Sequence, residues 1–179
     1  LRAMAEQPAA TAPFGDMIGR ISETGLAHAR GNSGLIFASY INGIAEEGRR
    51  YDSVDLSQFC LLAHNAVDYM SRSISHPVEG TMITVIRDWA AFLSSNCSKF
   101  EFFEDMLAEA YKIAGNSLAR TTEKLAVLKK YNVVDAGAAG MQISLAVVSG
   151  TLTATAAGGV TVAGAGSGTV TLTGTAANL

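Results

Sequence analysis

Three short segments carry residue types able to hold a polyanion, and each stands where a helical pattern breaks. The first is Gly31-Asn32-Ser33-Gly34. Its glycines permit close backbone approach and left-handed conformations. Free N–H groups at the start of the following helix, together with the Ser33 hydroxyl, can donate to phosphate oxygens. The same residues can also form an ordinary helix–helix turn with Ser33 as cap. The second segment is Glu79-Gly80-Thr81-Met82, where Thr81 is either an N-cap or a donor to a nucleotide and Met82 can pack against a base. The third, Asp135-Ala136-Gly137, either opens a helix or touches a ligand. Short motifs of this kind match structural turns often, so the functional reading rests on their conjunction.

Other reactive side chains carry less. His76 lies beside Pro77 near the second segment, whereas His28 and His64 fall within helical patterns and read as packed or partly exposed. Arg30 can neutralise phosphate charge or join a surface salt bridge, and Arg87 and Asp88 read as helix-surface charges. Cys60 and Cys97 stand far apart in sequence; Cys60 sits in an apolar helical stripe and reads as a small reduced core residue.

The elements that must position the three segments are helices. Leu56, Phe59, Cys60, Ala63, Val67, Met70 and Ile74 recur at helical spacing after a cap at Asp55. Met82, Val85, Ile86, Trp89 and Leu93 form a second stripe, and Phe103, Met106, Leu107, Ala110, Ile113 and Ala114 a third. Further helices are predicted around Asp16–Ala29, Leu35–Glu47 and Met141–Val148, with Thr121-Thr122-Glu123 capping one that runs through Lys130. Breaks are predicted at Arg30–Gly34, His76–Gly80 and Asn132–Gly137. Each helix has one apolar face, so the sum is an all-α bundle around a shared core.

Composition divides the chain near Gly150. Every charged residue precedes it, and residues 151–179 are almost wholly Thr, Ala, Gly and Val. Thr151–Thr155, Val160–Val162 and Thr169–Thr173 alternate with period two between Gly-rich turns, the pattern of a short β element. The expected organisation is therefore a helical domain over residues 1–150 and a low-complexity tail over 151–179. A net charge of −3 with scattered basic residues argues against a nucleic-acid partner. The apolar stretches fall short of a membrane span, Arg2 and Glu6 interrupt any leader-like run, and a cytoplasmic protein is expected.

In order and spacing, Ala29-Arg30-Gly31-Asn32-Ser33-Gly34-Leu35-Ile36, Pro77-Val78-Glu79-Gly80-Thr81-Met82-Ile83-Thr84-Val85-Ile86-Arg87 and Val133-Val134-Asp135-Ala136-Gly137 resemble the signature blocks of the DhaL (Dak2) domain. Thr121–Leu128 resembles the segment ahead of the third block, and the likeness runs from about Gly19 to Val148. It is nearest the bacterial fatty-acid kinase proteins, including those fused to a fatty-acid-binding DegV domain. The resemblance implies a closed antiparallel barrel of about eight helices with ATP or ADP at one end. It also implies magnesium ions bridging the phosphates. Carried over, Asn32, Ser33 and Gly34, turned by Gly31, hold phosphates; Gly80, Thr81 and Met82 line the adenosine; Asp135, Ala136 and Gly137 close the site.

The sequence departs from the family in three places. The aspartate-rich loop Asp-Gly-Asp-x-Gly-x-Asn that holds magnesium in the family has no counterpart here. Leu1–Met4 resembles the helix after it, so the chain as given is expected to begin downstream of that loop. Ala138-Ala139 replace a usual Gly or Lys, and the tail replaces the end of the last helix. Phosphoryl transfer depends on metal to offset moving charge, so no turnover is expected from this chain alone. The function implied is the ATP-binding part of a kinase acting on a fatty acid presented by a DegV-type protein or fused domain. A dihydroxyacetone (glycerone) kinase subunit and a catalytically dead helical module are the alternatives. A homodimer is a further candidate partnership.

Overall fold

A computed structural model describes residues 12–139, 161–163 and 171–173. Its helical part comprises α1 (Phe14–His28), α2 (Gly31–Gly48), α3 (Leu56–Arg72), α4 (Met82–Asn96), a 3-10 turn (Cys97–Lys99), α5 (Phe103–Lys124) and α6 (Ala126–Tyr131). Residues 136–139 begin one more helical turn. The expected helix Met141–Val148 and the expected strand Thr151–Thr155 lie outside the described residues. The tail does contain an antiparallel pair, β1 (Thr161–Ala163) and β2 (Thr171–Thr173), with Val162 opposite Leu172.

The helix ends follow from local chemistry. Asp55 accepts from the Gln58 N–H at 2.7 Å while Gln58 Oε1 accepts from the Asp55 N–H at 3.0 Å, a reciprocal capping box that starts α3 where the sequence placed it. α1 opens after Pro13 and satisfies its first donors on the loop behind α2: Phe14 and Gly15 N–H reach the Asp52 and Tyr51 carbonyls at 2.8 Å each. α6 ends at Asn132 in the left-handed region (φ 52°), a conformation Asn tolerates well. The α5–α6 boundary differs from expectation. Thr121–Glu123 does not restart a helix; α5 runs through it to Lys124 and breaks at Leu125. The Thr121 hydroxyl donates to the Leu118 carbonyl at 2.7 Å, a back-bond compatible with continued helix, so this threonine is not used as a cap.

Successive helices run antiparallel. The start of α1 bonds the end of α2; Glu47 on α2 accepts from Asn65 on α3 at 2.8 Å; Phe59 on α3 meets Trp89 on α4; and Asp88 on α4 binds Ser117 on α5. Between them lies a core in which Tyr40, Leu62, Met70, Ile86, Leu93 and Met106 are fully buried. Trp89 stands edge-on to Tyr40 (6.3 Å) and Phe59 (6.4 Å), and Phe59 edge-on to Phe103 (5.7 Å), arrangements that suit the ring quadrupoles. The buried Tyr40 hydroxyl donates to the Ala63 carbonyl at 2.9 Å, and burial holds this phenol far above its ordinary pKa. Cys60 is a core residue, 3.4 Å from Met106 Sδ; burial, aided by Cys97, pushes its thiol up to about 12.

Candidate functional site

Alternating helix direction brings the α1–α2, α3–α4 and α5–α6 junctions to one end of the bundle, the end that carries all three segments singled out in the sequence. The first break is narrower than expected: only Ala29 and Arg30 separate α1 from α2. Gly31 turns the chain at φ +64°, and Asn32, Ser33 and Gly34 form the first turn of α2. Donors in a first turn have no carbonyl one turn back within the helix. Ser33 is exposed and makes no capping bond, so the cap alternative is not the one adopted.

The second segment is pinned from inside. Gly80 is buried at φ +81°; its N–H donates to Thr84 Oγ1 at 2.8 Å, and that hydroxyl donates to Glu79 Oε2 at 2.6 Å. Glu79 Oε1 pairs with the Arg87 guanidinium. Thr81 does not cap α4 with its side chain; its hydroxyl donates to the Val78 carbonyl at 2.7 Å. Met82 belongs to the core at 5% exposure, so of Gly80, Thr81 and Met82 only Thr81 is not buried.

The third segment starts a helical turn. Asp135 Oδ2 accepts from the Ala138 N–H at 2.8 Å, the geometry of an N-cap. The Asp135 N–H itself donates to Thr121 Oγ1 at 3.1 Å, and Thr122 Oγ1 donates to the Val133 carbonyl at 3.0 Å. Ala136 is exposed, whereas Ala138 is fully buried and joins the core.

Two steric facts join the segments. A Cβ on Gly137 would stand 2.2 Å from Ser33 Oγ and 3.2 Å from Asp135 Oδ2, so the first and third segments touch. A Cβ on Gly80 would stand 2.7 Å from Lys124 Cβ and 3.2 Å from Leu125 Cγ, so the second rests on the end of α5. The first and third segments thus bring a helix N-terminus, a serine hydroxyl and one carboxylate together, while the second is held against the end of α5, whose Thr121 also bonds the third. Backbone donors and hydroxyls suit phosphate oxygens. Among the described residues no group of three or more His, Cys, Asp or Glu could hold a metal, and no step through magnesium is assigned to them.

The remaining candidates separate. His28, His64 and His76 are exposed, with His28 Nδ1 2.9 Å from the Thr24 carbonyl, and the exposed Arg30 donates to the Ala29 carbonyl at 2.9 Å. Arg87 and Asp88 do more than decorate a helix surface. Arg87 braces Glu79, and Asp88 accepts from the buried Ser117 hydroxyl at 2.6 Å and from Arg120 at 3.2 Å, tying α4 to α5. Residues so distant in sequence carry no periodic signal of their pairing. A shallow polar depression of about 310 Å³, lined by Gly15, Asp16, Gly19, Arg20, Glu23 and Arg49, had no signature either; it lies toward the opposite end. No helix among the described residues is long and apolar enough to cross a membrane.

Comparison with known proteins agrees with this architecture. Residues 1–150 match the DAK2 domain family. The chain is 34% identical over 118 residues to an uncharacterized protein of Staphylococcus saprophyticus, covering 66% of this chain and 21% of that one. It is 31% identical over 131 residues to protein YloV of Bacillus subtilis, covering 73% and 24% respectively. An uncharacterized Mycoplasma pneumoniae protein is 29% identical over 132 residues. The chain thus spans between a fifth and a quarter of the length of these relatives.

Proposed function

Because the chain belongs to the DAK2 domain family, whose DhaL-type members are kinase-related, we propose that its connector end binds an adenine nucleotide as the ATP-binding part of a phosphotransferase. In this reading the first turn of α2, with Asn32, Ser33 and Gly34 led in by Gly31, donates to phosphate oxygens. Thr81 borders the adenosine, with the buried Gly80 and Met82 forming the wall beneath it, and Asp135, Ala136 and Gly137 close the site. The nucleotide, when bound, supplies the phosphoryl group; the residues named here bind and orient it. The observation that carries the proposal is the contact between Ser33 and Gly137, which sets a hydroxyl and the open start of α2 against the third segment.

The acceptor in this reading is a fatty acid presented by a DegV-type protein or fused domain. Residues 1–150 form the nucleotide-binding unit and 151–179 a separate tail. Titration calorimetry with ADP and ATP, with and without magnesium, tests the binding step. The expected result is weak binding that magnesium strengthens little, and no turnover by the chain alone. Ser33→Ala should weaken binding by about 1 kcal/mol, the worth of one hydrogen bond. Grafting an Asp-Gly-Asp-x-Gly loop upstream should tighten binding. An absence of nucleotide binding, or a Ser33→Ala variant that binds as well as the original, overturns the assignment.

A further inference from the structure

The contacts of the three segments converge on a feature outside all of them, the last turn of α5. Thr121 is fully buried and its hydroxyl is used twice, donating to the Leu118 carbonyl and accepting from the Asp135 N–H. Thr122, the next residue, donates to the Val133 carbonyl. Lys124 and Leu125 close the same turn and form the wall against which Gly80 is pressed. The third segment in turn abuts the first through Gly137 and Ser33.

The first segment therefore abuts the third, while the second and third both rest on the end of α5. We infer that Thr121 is a positioning residue for the nucleotide-binding surface, holding Asp135 and, through Gly137, Ser33 in register with the segment at Gly80. The inference rests on the nucleotide reading above, since it concerns the shape of that same surface. Its physical basis is the double use of one buried hydroxyl. Removing it leaves the half-buried Asp135 N–H without its partner, and an unpaired donor there favours a backbone shift toward water or another acceptor. The neighbouring Thr122 hydroxyl is directed to the Val133 carbonyl, two residues before Asp135.

Thr121→Val keeps the shape and removes the hydroxyl; Thr121→Ser keeps the hydroxyl. Ser22→Ala serves as control, since it removes a buried side-chain bond (to Asn42, 2.9 Å) in the middle of α1. In the full chain, two readouts are compared: exchange of the Asp135 and Ala138 amide protons without ligand, and ADP affinity. Thr121→Val should speed exchange at Asp135 and Ala138 by about tenfold or more and weaken ADP binding by about fivefold. Thr121→Ser should restore both, and Ser22→Ala should change neither beyond its effect on melting temperature. Undiminished ADP binding by Thr121→Val, or equal losses in Ser22→Ala, overturns the positioning role alone. Failure of the unsubstituted chain to bind ADP overturns the nucleotide reading and this inference with it. Should Thr121→Val not fold, a loss in Thr121→Ser as large as in Thr121→Ala overturns it, because the retained hydroxyl would then count for nothing.

Discussion

Replacing Gly80 by alanine tests how tightly the candidate site is bound into the bundle. Two costs add. At φ +81° an L side chain is strained by roughly 1–2 kcal/mol. The new methyl would also meet Lys124 Cβ at 2.7 Å and Leu125 Cγ at 3.2 Å. Lys124 Cβ is fixed to the helix backbone, so relief requires the end of α5 to move, and overpacking of that sort costs about 1–3 kcal/mol. The reduced freedom of the unfolded chain returns about 0.4–1 kcal/mol. The net loss is about 2–4 kcal/mol, or roughly 6–12 °C in melting temperature for a domain of this size. Gly31→Ala is the matched comparison: its φ is +64°, but nothing lies within 4 Å of the added methyl, so only the torsional cost applies. Urea denaturation of both variants separates the two costs. A Gly80→Ala midpoint equal to that of Gly31→Ala would refute the steric half of the reasoning, and one equal to wild type would refute both halves.

Gly137→Ala should destabilise mildly in urea denaturation, by about 1 kcal/mol, since the helix-propensity gain is offset by rotation of Ser33 and by the approach of the new methyl to 3.0 Å from Ser33 Cβ, which rotation does not relieve; nucleotide affinity measured by calorimetry should fall several-fold. Asp55→Ala should destabilise by about 1 kcal/mol in denaturant titration through loss of the capping box, without touching the distant nucleotide surface. For Cys60, the folded thiol is held up to about 12 against an ordinary value of 9.0. Its stabilising contribution is therefore complete below pH 9 and lost as pH rises toward the folded value. Denaturation curves should thus converge between the original chain and Cys60→Ala as pH rises above 9, and parallel pH profiles would contradict the assigned burial.

Much of the helical plan was readable because its signals are local. The Asp55–Gln58 box, the Leu56–Met70 stripe and the stripe from Met82 to Leu93 each lie within one element, and periodicity reports them directly. The junctions were read less well. Thr121–Glu123 has the composition of a cap, yet the helix continues because the Thr121 hydroxyl is satisfied by Leu118 and Asp135. Ser33 also has the composition of a cap and does not serve as one. Asp88, Ser117 and Arg120 form a bond network between helices that spacing along a single helix cannot disclose. The three segments could be picked out by type, but their meeting depends on helix direction and on the absence of side chains at Gly80 and Gly137. Only coordinates express that requirement as distances.

The antiparallel order also governs when the site can come into being. Among the described helices, packing runs chiefly between neighbours in sequence: α1 on α2, α2 on α3, α3 on α4, α4 on α5 and α5 on α6. A topology of such low contact order pays little loop-closure entropy at each step and folds quickly, on the order of milliseconds or less. The meeting of Ser33 with Gly137 spans much more of the chain, joining residues roughly a hundred positions apart. During synthesis, α1, α2 and α3 can therefore pair as they leave the ribosome, while the surface proposed to hold the nucleotide stays open until the turn around Gly137 has emerged. A nascent chain halted before α5 would lack the part of the core that Met106, Ala110 and Ala114 supply, and would have no meeting of Ser33 with Gly137; on the proposed function, the binding surface is the last part of the domain to form.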